Sequence, residues 1–222
     1  SGPHYLEGRV GDFLVQRLSA AGVPWVRQHV APGRDSIVAR LDATVAGAPV
    51  LLWDAHQDTV PTEGMTIEPF TPVVRNGRMY GRGTCDVKGG LAAMVTALER
   101  LALVETRHAT VVFAATVGEE FGFLGALALA QLWQGPGTLP GDDAVRGLLG
   151  SKPVLAIVAE PTELDLVVSH KGSMKWRMRV HGRACHGAFP EQGVNALYIA
   201  ARAALAIEDL SRELLSRYPD HP

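Results

Sequence analysis

The chain has 222 residues, 47% of them hydrophobic and 20% charged, with a formal net charge of −2. These proportions are ordinary for a globular protein, and the length permits one domain or two. The slightly acidic balance argues against nucleic acid as the main partner, because phosphate binding needs a basic surface. No apolar run approaches the roughly 20 residues needed to cross a bilayer, so no membrane partner is expected. Two cysteines, Cys85 and Cys185, make no disulfide framework. No signal-peptide pattern opens the chain, so a reducing, cytoplasmic setting is expected.

In chain order the pattern alternates helix and strand. Leu6, Val10, Phe13, Leu14 and Leu18 recur at helical spacing, with Gly22 as the stop. Residues 25–30, 36–41 and 50–54 read as strands. Residues 73–80 read as a hairpin, with Asn76-Gly77 suited to a type I′ turn. Residues 88–104, rich in Ala, Leu and Met, predict a helix. A buried strand is expected over 110–117 and a helix over 124–133, followed by a long loop over 135–150 and a second buried strand over 154–159. Strands followed by helices imply a largely parallel sheet with helices on both faces.

The texture changes near Ser169. Met174, Trp176, Met178 and Val180 alternate with Lys175, Arg177, Arg179 and His181, the pattern of a half-exposed strand. A helix over 194–217 follows, with Asn195 placed to cap it. One strand and one helix cannot bury their own apolar faces. The chain is therefore expected to stop inside a second domain.

Hard metal ligands stand beside the β-rich runs: His56-Gln57-Asp58, Cys85-Asp86-Val87, Glu119-Glu120 and Glu160-Pro161. One imidazole and several carboxylates are the inventory of a two-zinc hydrolytic site. Each has a plainer reading: a solvated His-x-Asp, a helix cap at Asp86, two acidic residues at a helix start, a strand-end carboxylate. The ordered set is what favours a site. Open α/β sheets bind ligands beyond the carboxyl ends of their strands. Asp58, two residues from His56, is placed to anchor the imidazole or to orient the site more generally. The glycines around Asp86 leave room for close approach. Adjacent side chains diverge, so Glu120 can bind metal while Glu119 takes a proton from a metal-bound water. His186 is placed to meet the substrate. Cys185 and His186 point to opposite faces of a strand and make no nucleophile–base pair. Cys85 reads as a small buried residue, and Trp53 and Trp176 as core.

These motifs, with His170-Lys171-Gly172 and Gly193-Val194-Asn195-Ala196, resemble the di-zinc amidohydrolase and metallopeptidase family of acetylornithine deacetylase, succinyl-diaminopimelate desuccinylase, aminoacylase and bacterial glutamate carboxypeptidase. The acetylornithine deacetylase-like branch is the nearest in pattern. The resemblance implies an α/β fold: a three-layer α/β/α catalytic domain over 1–170 and the start of an α+β, ferredoxin-like lid and dimerisation domain over 171–222. It implies that His56, Asp86 and Glu160 hold one Zn2+, that Asp86 bridges, and that Glu120 holds the second, with Co2+ or Mn2+ as substitutes. It also implies a cis peptide at Asp86-Val87, Glu119 as general base, and His186 polarising the scissile carbonyl, often across a homodimer. Family members carry a further C-terminal histidine on the second zinc. The chain lacks it and is expected to be a fragment. The expected reaction is hydrolysis of an N-acyl amino acid. A dipeptidase or carboxypeptidase, or a non-catalytic binding relative, are the alternatives.

Overall fold

The computed structural model describes residues 6–170, 172 and 176–219. The chain divides between Leu164 and Asp165 into two compact units.

The first unit is built on a five-stranded mixed sheet of order β1-β2-β6-β3-β7. Its strands are β1 (Trp25–Ala31), β2 (Arg34–Leu41), β3 (Val50–His56), β6 (Thr110–Thr116) and β7 (Leu155–Val158). β1 pairs antiparallel with β2, and β2 antiparallel with β6. β3 lies parallel to both β6 and β7. The hairpin strands β4 (Val73–Arg75) and β5 (Arg78–Tyr80) form a separate ribbon.

The two-residue period of β6 organises the core. All seven of its residues are buried. Val111, Phe113 and Ala115 face one way, where Leu14 and Leu18 of α1 (Gly8–Ala20) and Leu91, Val95 and Leu98 of α2 (Lys88–Ala102) cover them. Val112 and Ala114 face the other way, against Leu129 of α3 (Leu124–Gln131), Leu132, and Val145 and Leu149 of α4 (Asp142–Leu149). The result is three layers, helices on a sheet on helices. Each fully buried Leu or Phe contributes about 1.5–3 kcal/mol of apolar burial.

Helix α4 corrects the expected loop over 135–150. Prolines and glycines mask its start, but the local chemistry is helical. Asp142 Oδ2 accepts the Leu139 amide at 2.8 Å and its Oδ1 accepts Gln28 Nε2 at 3.1 Å. Val145 and Leu149, four apart, share the buried face. Arg40 Nη1 donates to the carbonyls of Leu148 and Leu149, at 3.2 and 2.8 Å, and Gly150 follows with φ 64°. β7 is a second correction. It is an edge strand whose four residues are exposed, because it pairs with β3 alone among the described residues.

The second unit corrects a third expectation. Residues 176–181 form no strand, and Met174 and Lys175 lie outside the described residues. Trp176 and Met178 are exposed rather than core. No partner strand is present among the described residues to supply a ladder. The unit holds an isolated bridge between Arg183 and Val194, a 3-10 turn at Pro190–Gln192, and α5 (Ala196–Arg217). Asn195 caps α5 by accepting the Leu197 amide at 2.9 Å. No residue of α5 is buried. Among the described residues no helix is long and apolar enough to cross a membrane.

Candidate metal centre

The parallel strands β3, β6 and β7 end on the same edge of the sheet, and their register levels the functional residues. His56 pairs with Thr116, and Asp54 with Val158. Two residues on from that last pair come His56 and Glu160, which keeps both on one face of the sheet. Glu119 and Glu120 lie on the turn after β6. Asp86 arrives from outside the sheet, between the β4–β5 ribbon and α2. Its carboxylate does not cap α2, whose N-cap is Val87. The Asp86-Val87 peptide is cis.

The result is a convergence of His56, Asp86 and Glu160, whose ligand atoms all lie within 4.8 Å of one another. His56 is buried and Asp86 about half exposed. His56 Nδ1 donates to the Asp58 carbonyl at 3.0 Å, which directs Nε2 to Asp86 Oδ1 at 2.9 Å. The anchor of the imidazole is thus the backbone of Asp58. Its carboxylate stands 3.6 Å from Nδ1, beyond hydrogen-bond reach, and works elsewhere: Oδ1 accepts the Glu119 amide and Oδ2 the Glu120 amide, both at 3.1 Å. The Glu120 side chain reaches back, its Oε1 accepting the Val60 amide at 3.0 Å.

Electrostatics describe a set of donors that fits a cation. Burial alone would lower the His56 pKa, but the Asp58 and Glu119 carboxylates outweigh it and raise it to about 9. The proton held there is what a metal ion displaces on binding. Burial, then the Asp86 charge, pushes Glu120 up. Burial pushes Glu160 up, His56 opposes, and Asp86, Glu119 and Glu120 push it further. Clustered carboxylates that raise one another in this way are eased by a positive ion. Imidazole with carboxylates is a donor set that zinc accepts.

Further residues support the site. Gln57 is buried and donates from Nε2 to the carbonyls of Asp35 and Ala115, at 3.1 and 2.7 Å, while its amide reaches Thr116 O at 2.8 Å. Lys88 Nζ donates to the Gln57 carbonyl at 2.6 Å. Burial lowers the Lys88 pKa, against the pull of Asp58 and Glu7. Burial also lifts Asp54 to about 6, with Thr116 Oγ1 donating to its carboxylate at 3.0 Å. The Gln57 contacts depend on three strands, which no local pattern encodes. Cys85 is exposed, not buried as expected.

His186 belongs to the second unit. Its Nδ1 accepts the Ala188 amide at 3.2 Å, so the neutral ring carries its proton on Nε2, and Phe189 lies 6.0 Å away between centroids.

Fold and site together define a class, α/β proteins that gather possible metal ligands at the ends of parallel strands. Residues 52–215 match the family described as Peptidase family M20/M25/M40. The chain belongs to that family, whose members are typically metal-dependent. It is 32% identical over 188 residues to an acetylornithine deacetylase of Proteus mirabilis, covering 84% of this chain and 43% of that protein. It is 34% identical over 197 residues to a probable succinyl-diaminopimelate desuccinylase of Staphylococcus epidermidis, covering 87% and 44%. The fold is similar to that of a tripeptidase from Staphylococcus aureus, with TM-score 0.57 at 23% identity over 88% of this chain and 49% of that one. An aminopeptidase from Bacillus cereus gives TM-score 0.55 at 24% identity, covering 90% and 51%. The chain spans about half the length of the relatives it matches.

Proposed function

We propose that the protein to which this chain belongs hydrolyses the amide bond of an N-acyl amino acid. The observation that carries this reading is the convergence of His56, Asp86 and Glu160 beside the turn that presents Glu119 and Glu120. The similarity to a deacetylase and a desuccinylase, both named for removing an acyl group, supports the substrate class.

His56, Asp86 and Glu160 would hold one zinc ion, with Asp86 shared and Glu120 on a second. When bound, the ions supply Lewis acidity and a water acidified toward neutral pH. Glu119 takes the proton of the attacking water and delivers it to the leaving amine. Asp58 fixes Glu119 through its amide and His56 through its own carbonyl. His186 is assigned the role of polarising the scissile carbonyl, as the family resemblance implies. A carboxylate and a free amino acid are the products. Residues 1–170 form the catalytic domain. Residues 171–222 belong to a lid and dimerisation domain through which the protein forms a homodimer, and exposed Leu197, Tyr198, Leu205 and Leu215 on α5 support that role. A cytoplasmic setting agrees with the small polar substrate.

The test is Glu119→Ala in the full-length, zinc-loaded protein, assayed on N-acyl amino acids and dipeptides. Removing a general base costs about 10²–10⁴-fold in rate. Hydrolysis within about tenfold of wild type would remove Glu119 from the role. Preference for dipeptides would move the substrate class to peptides.

A further inference from the structure

Behind the candidate ligands lies a charged pair that the proposed chemistry does not use. Glu7, which precedes α1, is only 4% exposed. Its Oε1 accepts Arg34 Nη1, from β2, at 2.9 Å. Withdrawing a carboxylate and a guanidinium from water is costly, and well-packed apolar residues often serve stability as well or better. A buried carboxylate on a part-buried guanidinium calls for a task that apolar groups cannot perform.

What the pair touches supplies the task. Gly118 has φ 72°, a left-handed conformation that favours glycine. A Cβ on Gly118 would stand 3.3 Å from Arg34 Nη1 and 3.1 Å from Leu124 Cδ1, so the guanidinium packs directly against the turn. Glu7 meets the turn through Arg34: its Oε1 takes the guanidinium, and its other oxygen, Oε2, is buried without a hydrogen-bond partner. Gly118 is the residue before Glu119. The turn is thereby held at Glu119 and Glu120 by Asp58, and packed at Gly118 by Arg34, which Glu7 holds in place.

We propose that Glu7 and Arg34 are positioning residues, which fix the Gly118 turn and through it the carboxylates of Glu119 and Glu120. The inference rests on the amide-hydrolase reading for its effect on turnover, and on metal binding alone for its effect on affinity.

The experiment compares Glu7→Gln, Arg34→Met and Arg34→Lys in the full-length protein. Zinc affinities are read by chelator competition, and kcat and KM on an N-acyl amino acid. Partners that act through a metal ligand are worth about 10–100-fold in affinity or activity. Glu7→Gln and Arg34→Met are expected to weaken one zinc, the one that needs Glu120, by about tenfold or more and to leave the other within about twofold. They should lower kcat about tenfold with KM within about twofold, and Arg34→Lys, which keeps the charge, should recover most of the loss. A folded Glu7→Gln protein with kcat and both zinc affinities within about twofold of wild type would overturn the proposal. Should Arg34→Met fail to fold, Glu7→Gln decides alone. If the wild-type protein hydrolyses no amide, the functional reading fails, and the zinc affinities still decide this one.

Discussion

The Asp58 carboxylate accepts the Glu119 amide at 3.1 Å, and so ties the loop leaving β3 to the turn leaving β6. The same carboxylate takes the Glu120 amide with its other oxygen, while the Asp58 carbonyl takes His56 Nδ1. One residue thus sets the imidazole, the proposed base and a candidate ligand relative to one another. Hydrogen bonds to a buried charged group contribute about 1.5–3 kcal/mol. Asp58→Asn keeps the shape but offers one acceptor where two are needed, and points an amide donor at a backbone N–H. We predict a stability loss of about 1–3 kcal/mol by denaturant unfolding, and a fall in turnover of about 10–100-fold in the full-length protein.

Gly90 marks a close approach on the other side of the site. A Cβ there would meet the Ala159 Cβ at 2.8 Å. Ala159 precedes Glu160, and its amide is held by the Asp54 carbonyl at 2.9 Å, so it has little room to yield. Gly90→Ala should push Glu160 away from His56 and Asp86. Zinc affinity is expected to fall about 10–100-fold, as measured by chelator competition. Unchanged affinity in a folded Gly90→Ala protein would mean that Glu160 is held by other contacts.

The Glu7 carboxyl gives a pH prediction. It faces Arg34 on β2, Asp58 beyond β3, Lys88 on α2 and the Gly118 amide. Burial pushes it above the ordinary carboxylate value; its own amide, Arg34 and the Gly118 amide pull it down, and Asp58 pushes it up. The net shift is upward. The folded state therefore holds this proton more tightly than the unfolded chain does. Its stabilising contribution is full below the unfolded pKa and is lost as pH rises through the folded pKa. Wild type should lose stability relative to Glu7→Gln between about pH 4 and about pH 7. Urea unfolding of both proteins at the two pH values checks the sign. A buried carboxylate that costs stability at neutral pH and still stands beside the Gly118 turn fits a positioning role better than a purely structural one.

Arg40 supplies a control far from the ligands. Its guanidinium satisfies the last two carbonyls of α4 and pairs with Asp42 at 2.6 Å. Arg40→Ala should cost about 1–2 kcal/mol and leave zinc affinity unchanged. Thermal unfolding and chelator competition measure the two quantities on one sample.

Much of this architecture is legible in the residues themselves, for reasons that differ by element. β6 announces itself because seven consecutive residues are apolar or small and all are buried. α2 and α5 follow from long helix-forming runs, and Asn195 from its capping chemistry. α4 hid behind glycines and prolines, since the partners that fix its two ends, Gln28 and Arg40, are distant in sequence. The strand expected around Met178 followed a sound alternation, but an alternating run needs a partner, and none stands beside residues 176–181 among the described residues. At the site, His56, Asp86 and Glu160 were readable as ligand types at the edges of apolar runs. The division of labour within Asp58, carbonyl to His56 and carboxylate to the Glu119 turn, was not. It depends on the parallel register of β3 and β6, which no local pattern encodes.

The central claim, that these side chains form a metal centre, is tested most directly by counting metal. Full-length protein, loaded with zinc and passed through gel filtration, is read by elemental mass spectrometry beside Asp86→Asn. We predict about two zinc ions per chain in wild type, as a shared carboxylate between two ions requires, and a loss of both in Asp86→Asn. A folded wild-type protein with zinc at background, or an Asp86→Asn protein that keeps the full complement, would contradict the account.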